Sequence, residues 1–213
     1  GYVFTDAAIE KPLLEKFLRV AVSNSFNRIT VDGDTSTNDC CMLVATAKGA
    51  LRITDTESDA GQRFQSELNA VFEKLATDLI RDAEGASKFI TIEVSHGASA
   101  QECLAVAYTV AESPLVKTAF FASDPNWGRI LAAIGRAGLE DLTIDSVTVT
   151  LGDTLLVSGG AVDPSYTESA GQKEMNKDEI RVGINLARGD VTEKVWTSDL
   201  SIDYVRINAD YRS

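Results

Sequence analysis

From Ser58 to Asp82 the chain carries Phe64, Leu68, Val71, Phe72, Leu75 and Leu79 at three- and four-residue spacings, an apolar stripe down one face of a long helix. Gly85 reads as the stop signal for that helix. Directly after it, Phe89 to Ser95 (FITIEVS) changes period: Ile90, Ile92 and Val94 alternate with Thr91, Glu93 and Ser95, as in a half-exposed strand. A long amphipathic helix feeding an alternating strand must lay its stripe against another layer.

The remainder of the chain fits that plan. From Pro12 the apolar positions Leu13, Leu14, Phe17, Leu18, Ala21 and Val22 mark one helix face, with Pro12 suited to the first turn. Ser25 to Asp39 is a polar, loop-like stretch, and the apolar run CCMLVATA behind it fits a buried strand or a helix start. Ser99 to Glu112 reads as a helix, Val116 to Ala122 (VKTAFFA) as a strand, and Ser123 to Gly128 (SDPNWG) as a turn that caps a helix over Arg129 to Ala137. The last third reads as strands at Ser146–Leu151, Thr154–Val157, Ile180–Ala187 and Val195–Ile207. Helices mixed with strands, then mostly strands, predict an α+β or layered α/β fold without Rossmann alternation. No linker or repeat interrupts residues 1–213, so one domain is expected.

Composition narrows the chemistry. Twenty Lys and Arg against 32 Asp and Glu leave a net charge of −12, which repels nucleic-acid phosphates and anionic lipid. A hydrophobic content of 44% excludes global disorder. A single histidine, His96, removes imidazole relays and His-rich zinc sites; ahead of Gly97 it reads as a surface turn residue. Cys40, Cys41 and Cys103 match neither a disulfide framework nor a CxxC site and read as small core residues of a reducing compartment. No apolar run is long enough to span a bilayer and no signal peptide opens the chain, so a cytoplasmic or organelle-matrix protein is expected. Tyr2, Val3 and Phe4 form a buried-looking strand directly behind Gly1, as in a trimmed chain or a processed precursor.

Candidate sites are few. Asp32, Asp34, Ser36, Asn38 and Asp39 invite a calcium loop, but the required Gly and Glu positions hold Thr37 and Leu43, so the motif fails. A two-carboxylate magnesium site is the alternative to a hydrogen-bonded loop. No metal site is assigned, and no glycine-rich phosphate loop is present. In AEGASK, Glu84 and Lys88 offer a carboxylate and an ammonium to an amino acid's charges; a helix cap at Gly85 with solvated flanks is the alternative. Trp127 reads as packed, with the wall of a pocket as the alternative.

Four segments together go further: SFNRITVDGDTSTND (from Ser25), DAEGASK (Asp82 to Lys88), KTAFFASDPNWGRI (Lys117 to Ile130) and DYVRINADYRS (Asp203 to Ser213). In this order, and across nearly the whole chain, they closely resemble the β chain of the glutamate N-acetyltransferases, the ornithine acetyltransferases of arginine biosynthesis. The resemblance implies a layered α/β sandwich of the type shared with self-processing aminopeptidases. It also implies a precursor that cleaves itself before a threonine, and a heterotetramer of two α and two β chains. The new terminal threonine would be the nucleophile; it falls just upstream of Gly1, and Thr5 does not match the cleavage position.

The implied reaction moves an acetyl group from N2-acetylornithine to glutamate through an acetyl-threonine, with the terminal α-amino group as base. No cofactor is implied, though some family members also take acetyl-CoA as the acetyl donor. Oxyanion donors and a substrate-contacting lysine would come from the α chain. The family's substrate contacts map onto Glu84, Asn208 and Ser213, the last usually Thr in the family. The Asp32–Asp39 loop and SDPNWG would be scaffold near the site. The competing readings are a self-processing aminopeptidase of the same architecture and a non-catalytic amino-acid-binding subunit.

Overall fold

The computed structural model describes residues 1–211. They form two compact units, one of Gly1–Ile29 with Asp34–Leu79, the other of Thr30–Gly33 with the chain from Ile80 onward. The boundary at Leu79 falls inside a helix, so no linker composition marks it.

In the first unit, β1 (Tyr2–Thr5) pairs in parallel with β3 (Met42–Ala45), and β2 (Ala8–Ile9) with β4 (Arg52–Ile53). The ambiguous CCMLVATA run therefore resolves as a strand. Helix α1 (Lys11–Ser23) has Pro12 in its first turn and buries Phe17 and Ala21. With Ile53 and with Leu68 and Phe72 of α2 (Asp59–Arg81) these form the unit's core. Edge-on ring pairs, Phe17 with Phe64 at 5.0 Å and Phe26 with Phe72 at 5.7 Å, add about 0.5–1.5 kcal/mol each beyond area burial. The buried line of α2 runs through Leu68, Phe72, Ala76 and Ile80, whereas Val71 and Leu79 of the expected stripe are exposed. The first strand also departs from expectation. Val3 faces the core, but Tyr2 is 65% and Phe4 68% exposed, beside Met42 at 46% and Val44 at 37% on the same face of the ribbon.

The second unit holds a six-stranded mixed sheet, built from β5 (Phe89–Gly97), β6 (Thr148–Leu151), β7 (Thr154–Ser158), β8 (Ala161–Val162), β9 (Glu179–Asn185) and β10 (Val191–Ser198). Its order is β10-β5-β9-β6-β7-β8, with β5 and β9 parallel and the other pairs antiparallel. Ile90, Ile92 and Val94 are buried, as the alternation predicts. Helix α3 (Ala100–Ala111), capped by Ser99, packs on β5 and β10 through Cys103, Val106, Ala107, Val110 and Ala111; side chains this small let helix and sheet approach closely.

Two predicted strands are corrected. Val116–Phe121 of that run lies in helix α4 (Pro114–Phe121), with Ala122 as its C-cap: Ser113 caps Val116 and Pro114 sits in the first turn, signals that outweigh the β-like composition of the run. The alternation predicted through Ile207 stops at Ser198, and Ser201 caps a new helix, α7 (Ile202–Asp210). Between α4 and α7 lie α5 (Trp127–Gly135), capped by Asn126, and α6 (Glu168–Met175), a helix inside the predicted β-rich third whose start Thr167 caps. Trp127 is exposed, not packed. Of the cysteines, Cys103 alone is buried and Cys40 is exposed. Among the described residues no helix is long and apolar enough to cross a membrane.

Candidate functional site

Sheet register sets the geometry. β10 runs antiparallel to β5 with Ser198 opposite Phe89, so the segment entering β5 and the segment leaving β10 emerge side by side. The first carries Glu84, the second leads into α7 and Asn208. Neither can be satisfied by the sheet, so polar side chains bind them together. Asp199, buried just beyond β10, accepts from the Ser87 amide at 2.8 Å, the Lys88 amide at 2.9 Å and the Ser87 hydroxyl at 2.6 Å. Ser201 donates its hydroxyl proton to the Gly85 carbonyl at 2.6 Å and accepts from the Tyr204 amide at 3.1 Å.

Gly85 is the residue this approach requires. Its φ is +67°, and a Cβ there would lie 2.5 Å from Tyr204 N and 2.9 Å from Ser201 Oγ. It sits beyond the end of α2 at Arg81, so its task is to admit α7, not to stop α2.

These constraints bring the two assigned contacts together. Asn208 Nδ2 donates to Glu84 Oε2 at 3.2 Å and to the Tyr204 carbonyl at 3.0 Å, although Glu84 and Asn208 are 124 residues apart in sequence. Both side chains are exposed. An exposed carboxylate next to a primary amide can take an ammonium on the one and donors or acceptors of a polar ligand on the other. Ser213, the third assigned contact, lies outside the described residues.

Lys88 does not join them. Its ammonium donates to Ser123 Oγ at 2.5 Å and to the Met175 carbonyl, and burial lowers its pKa against the pull of Asp199 and Asp178. The pairing of Glu84 with Lys88 around an amino acid is therefore corrected: Lys88 spends its charge inside the fold.

Sequence reasoning missed four residues of this region. Asp199 and Ser201 lie in the polar break SDLS after β10; a Ser directly ahead of an apolar-periodic run was the available signal. Lys117, 2% exposed, donates to Thr197 Oγ1 at 2.8 Å and to the Ser198 carbonyl, holding the end of β10. Burial pulls its pKa down to about 8, opposed by the charges of Asp199, Asp32 and Glu112. Tyr204 donates to Asp32 Oδ2 at 2.6 Å, tying α7 to the start of the polar loop.

SDPNWG is capping structure: Asn126 Oδ1 accepts from the Arg129 amide at 3.1 Å, and its Nδ2 donates to Asp124 at 3.0 Å. His96 is exposed with φ +55°, but it lies in β5 near its C-terminal end, not in a turn, and its carbonyl accepts from the Arg188 and Gly189 amides. Among the described residues no group of three or more His, Cys, Asp or Glu side chains could hold a metal ion.

The chain is 52% identical over 216 residues to the arginine biosynthesis bifunctional protein ArgJ of Pseudomonas fluorescens (strain Pf0-1). It is 55% identical over 214 residues to the protein of that name from Psychrobacter arcticus. In both cases all of this chain is covered, and it spans about half, 53%, of the relative's length. The crystal structure of ArgJ from Bacillus halodurans superposes with a TM-score of 0.91 at 38% identity, covering 99% of this chain and 98% of that one. The ArgJ family model matches residues 1–213, the whole chain. By sequence along its full length and by fold, this α/β chain belongs to the ArgJ family.

Proposed function

We propose that the chain is the β half of a cytoplasmic acetyltransferase of arginine biosynthesis, carrying the acetyl group of N2-acetylornithine to glutamate. The observation that carries this reading is the meeting of Glu84 and Asn208 on one exposed site of a chain in the ArgJ family, whose relatives are named for arginine biosynthesis. Glu84 takes the ammonium of the bound amino acid, and Asn208 orients Glu84 and the substrate's polar groups. Ser213 adds a hydroxyl. The nucleophile is a threonine just upstream of Gly1, freed by self-cleavage. Its oxygen attacks the acetyl carbonyl and its proton passes through the terminal amine to the departing ornithine nitrogen. The glutamate amine then attacks the acetyl ester, and the threonine oxygen leaves with a proton. No cofactor takes part in this transfer.

The partner is an α chain from the same precursor, in a heterotetramer of two α and two β chains. Two features support it: the relatives are about twice as long as this chain, and β1 with β3 exposes Tyr2, Phe4, Met42 and Val44. A net charge of −12 disfavours a second copy of this chain as the occupant of that face.

Mass spectrometry of the complete gene product, after brief incubation with N2-acetylornithine and no glutamate, tests the reaction. One acetyl group on the threonine upstream of Gly1, discharged by added glutamate, is expected. Release of acetate regardless of glutamate would replace the transferase by a hydrolase. A folded, processed complex that neither acquires acetyl nor releases ornithine would leave a binding subunit.

A further inference from the structure

Glu84 and Asn208 are both exposed, and one 3.2 Å hydrogen bond between exposed side chains cannot fix two separate backbones. Their separation must be set below the surface. A single buried hydroxyl does this. Ser201 Oγ accepts from the amide of Tyr204, at the start of the helix that carries Asn208, and gives its proton to the carbonyl of Gly85, the neighbour of Glu84. The two backbones are so close at this point that glycine alone fits position 85. On the far side of the Glu84 loop, the Asp199 carboxylate holds the Ser87 and Lys88 amides.

We infer that Ser201, backed by Asp199, is a positioning residue of the substrate site, holding Glu84 in register with Asn208 through the Gly85 carbonyl and the first turn of α7. The inference rests on the reading of Glu84 and Asn208 as substrate contacts. An ordinary N-cap needs the serine only as an acceptor. The donated bond to Gly85 does no capping, and it is the part that locates Glu84.

Ser201→Asp separates these two roles. Aspartate is a strong N-cap and still accepts from the Tyr204 amide, but its carboxylate has no proton for Gly85 and repels that carbonyl. In the complete, processed gene product, assayed at a temperature where the variant remains folded, we expect Ser201→Asp to lower kcat/KM for N2-acetylornithine about tenfold or more, mainly through KM. Ser201→Thr keeps the hydroxyl and restores most of the loss.

Glu84→Gln in the same assay keeps the failures apart. If Glu84→Gln raises KM and Ser201→Asp does not, Ser201 only caps and the inference fails. If Glu84→Gln leaves KM and kcat unchanged, the substrate-contact reading itself fails. The double variant is decisive about the route: Ser201→Asp should cost little more on a Glu84→Gln background, and full additivity would show that Ser201 does not act through Glu84. Should Ser201→Asp fail to fold, Asp199→Ala, which removes the acceptor of the Ser87 and Lys88 amides, is read in the same cycle and is expected to couple to Glu84 in the same way; additivity there too would overturn the inference.

Discussion

Gly85 carries two costs for any other residue. Its φ of +67° is strained for a residue with a Cβ, by about 1–2 kcal/mol, and the Cβ itself would press on Tyr204 N and Ser201 Oγ. Gly138 isolates the first cost, because its φ is +77° and nothing lies within 4 Å of a Cβ built there. Gly138→Ala is therefore expected to lose roughly 1 kcal/mol in chemical denaturation. Gly85→Ala should lose at least ~2 kcal/mol, and substrate KM should rise as α7 shifts away from the Glu84 loop. Equal losses at the two sites would show that α7 yields without strain. At this scale little was legible. Glu84 and Asn208 are exposed polar residues with no periodicity of their own; the charges of AEGASK make Glu84 a candidate beside a plain helix cap, and Asn208 stands out only through the family motif around it. By local pattern Gly85 reads as a helix stop, because Tyr204, the residue that makes glycine necessary there, lies more than a hundred positions away.

Elements were legible where a stripe or an alternation ran unbroken, as in α1, α2, α3 and β5. They were misread where composition and capping disagree. The run VKTAFFA has the aromatic and β-branched content of a strand, yet Ser113 and Pro114 open a helix there. That misreading also hid Lys117, which faces inward from α4 toward Thr197 and the carbonyl of Ser198. Its pKa near 8 in the folded chain lies below its ordinary 10.5. Between these values the unfolded chain holds a proton that the folded chain has released, so stability rises with pH across this window. Below pH 8 both states are charged and the net cost of burying the ammonium is present in full, about 3 kcal/mol with the attraction of Asp199, Asp32 and Glu112 already included. Urea denaturation of wild type and Lys117→Met at several pH values checks this. Wild type should gain on the variant as pH rises from about 8 to 10.5, up to about 3 kcal/mol. A constant difference would mean that Lys117 titrates at its ordinary value.

For the whole molecule, the informative feature is the mismatch between charge and exposure. A chain of net charge −12 is well protected against its own kind, yet it leaves two aromatic side chains, a methionine and a valine uncovered on the β1–β3 ribbon. The sequence marked Tyr2, Val3 and Phe4 as a strand to be buried. Within this chain only Val3 is turned toward the core, which leaves Tyr2 and Phe4 for a surface supplied from elsewhere. If the α chain supplies it, Phe4 and its register partner Val44 are the side chains to charge. Each large apolar side chain buried at an interface contributes about 1.5–3 kcal/mol, so Phe4→Lys with Val44→Lys should weaken the assembly at least a hundredfold. Val3 and Leu43, on the other face of the ribbon, keep the unit's own core intact. Size-exclusion chromatography of the processed gene product should then resolve the variant into separate α and β chains, with the β chain's circular dichroism unchanged. Co-elution of the two halves at micromolar concentration would mean that the ribbon face lies outside the interface. A variant that stays folded but is never cleaved would place the face in the precursor's own core, covered by the α segment before processing.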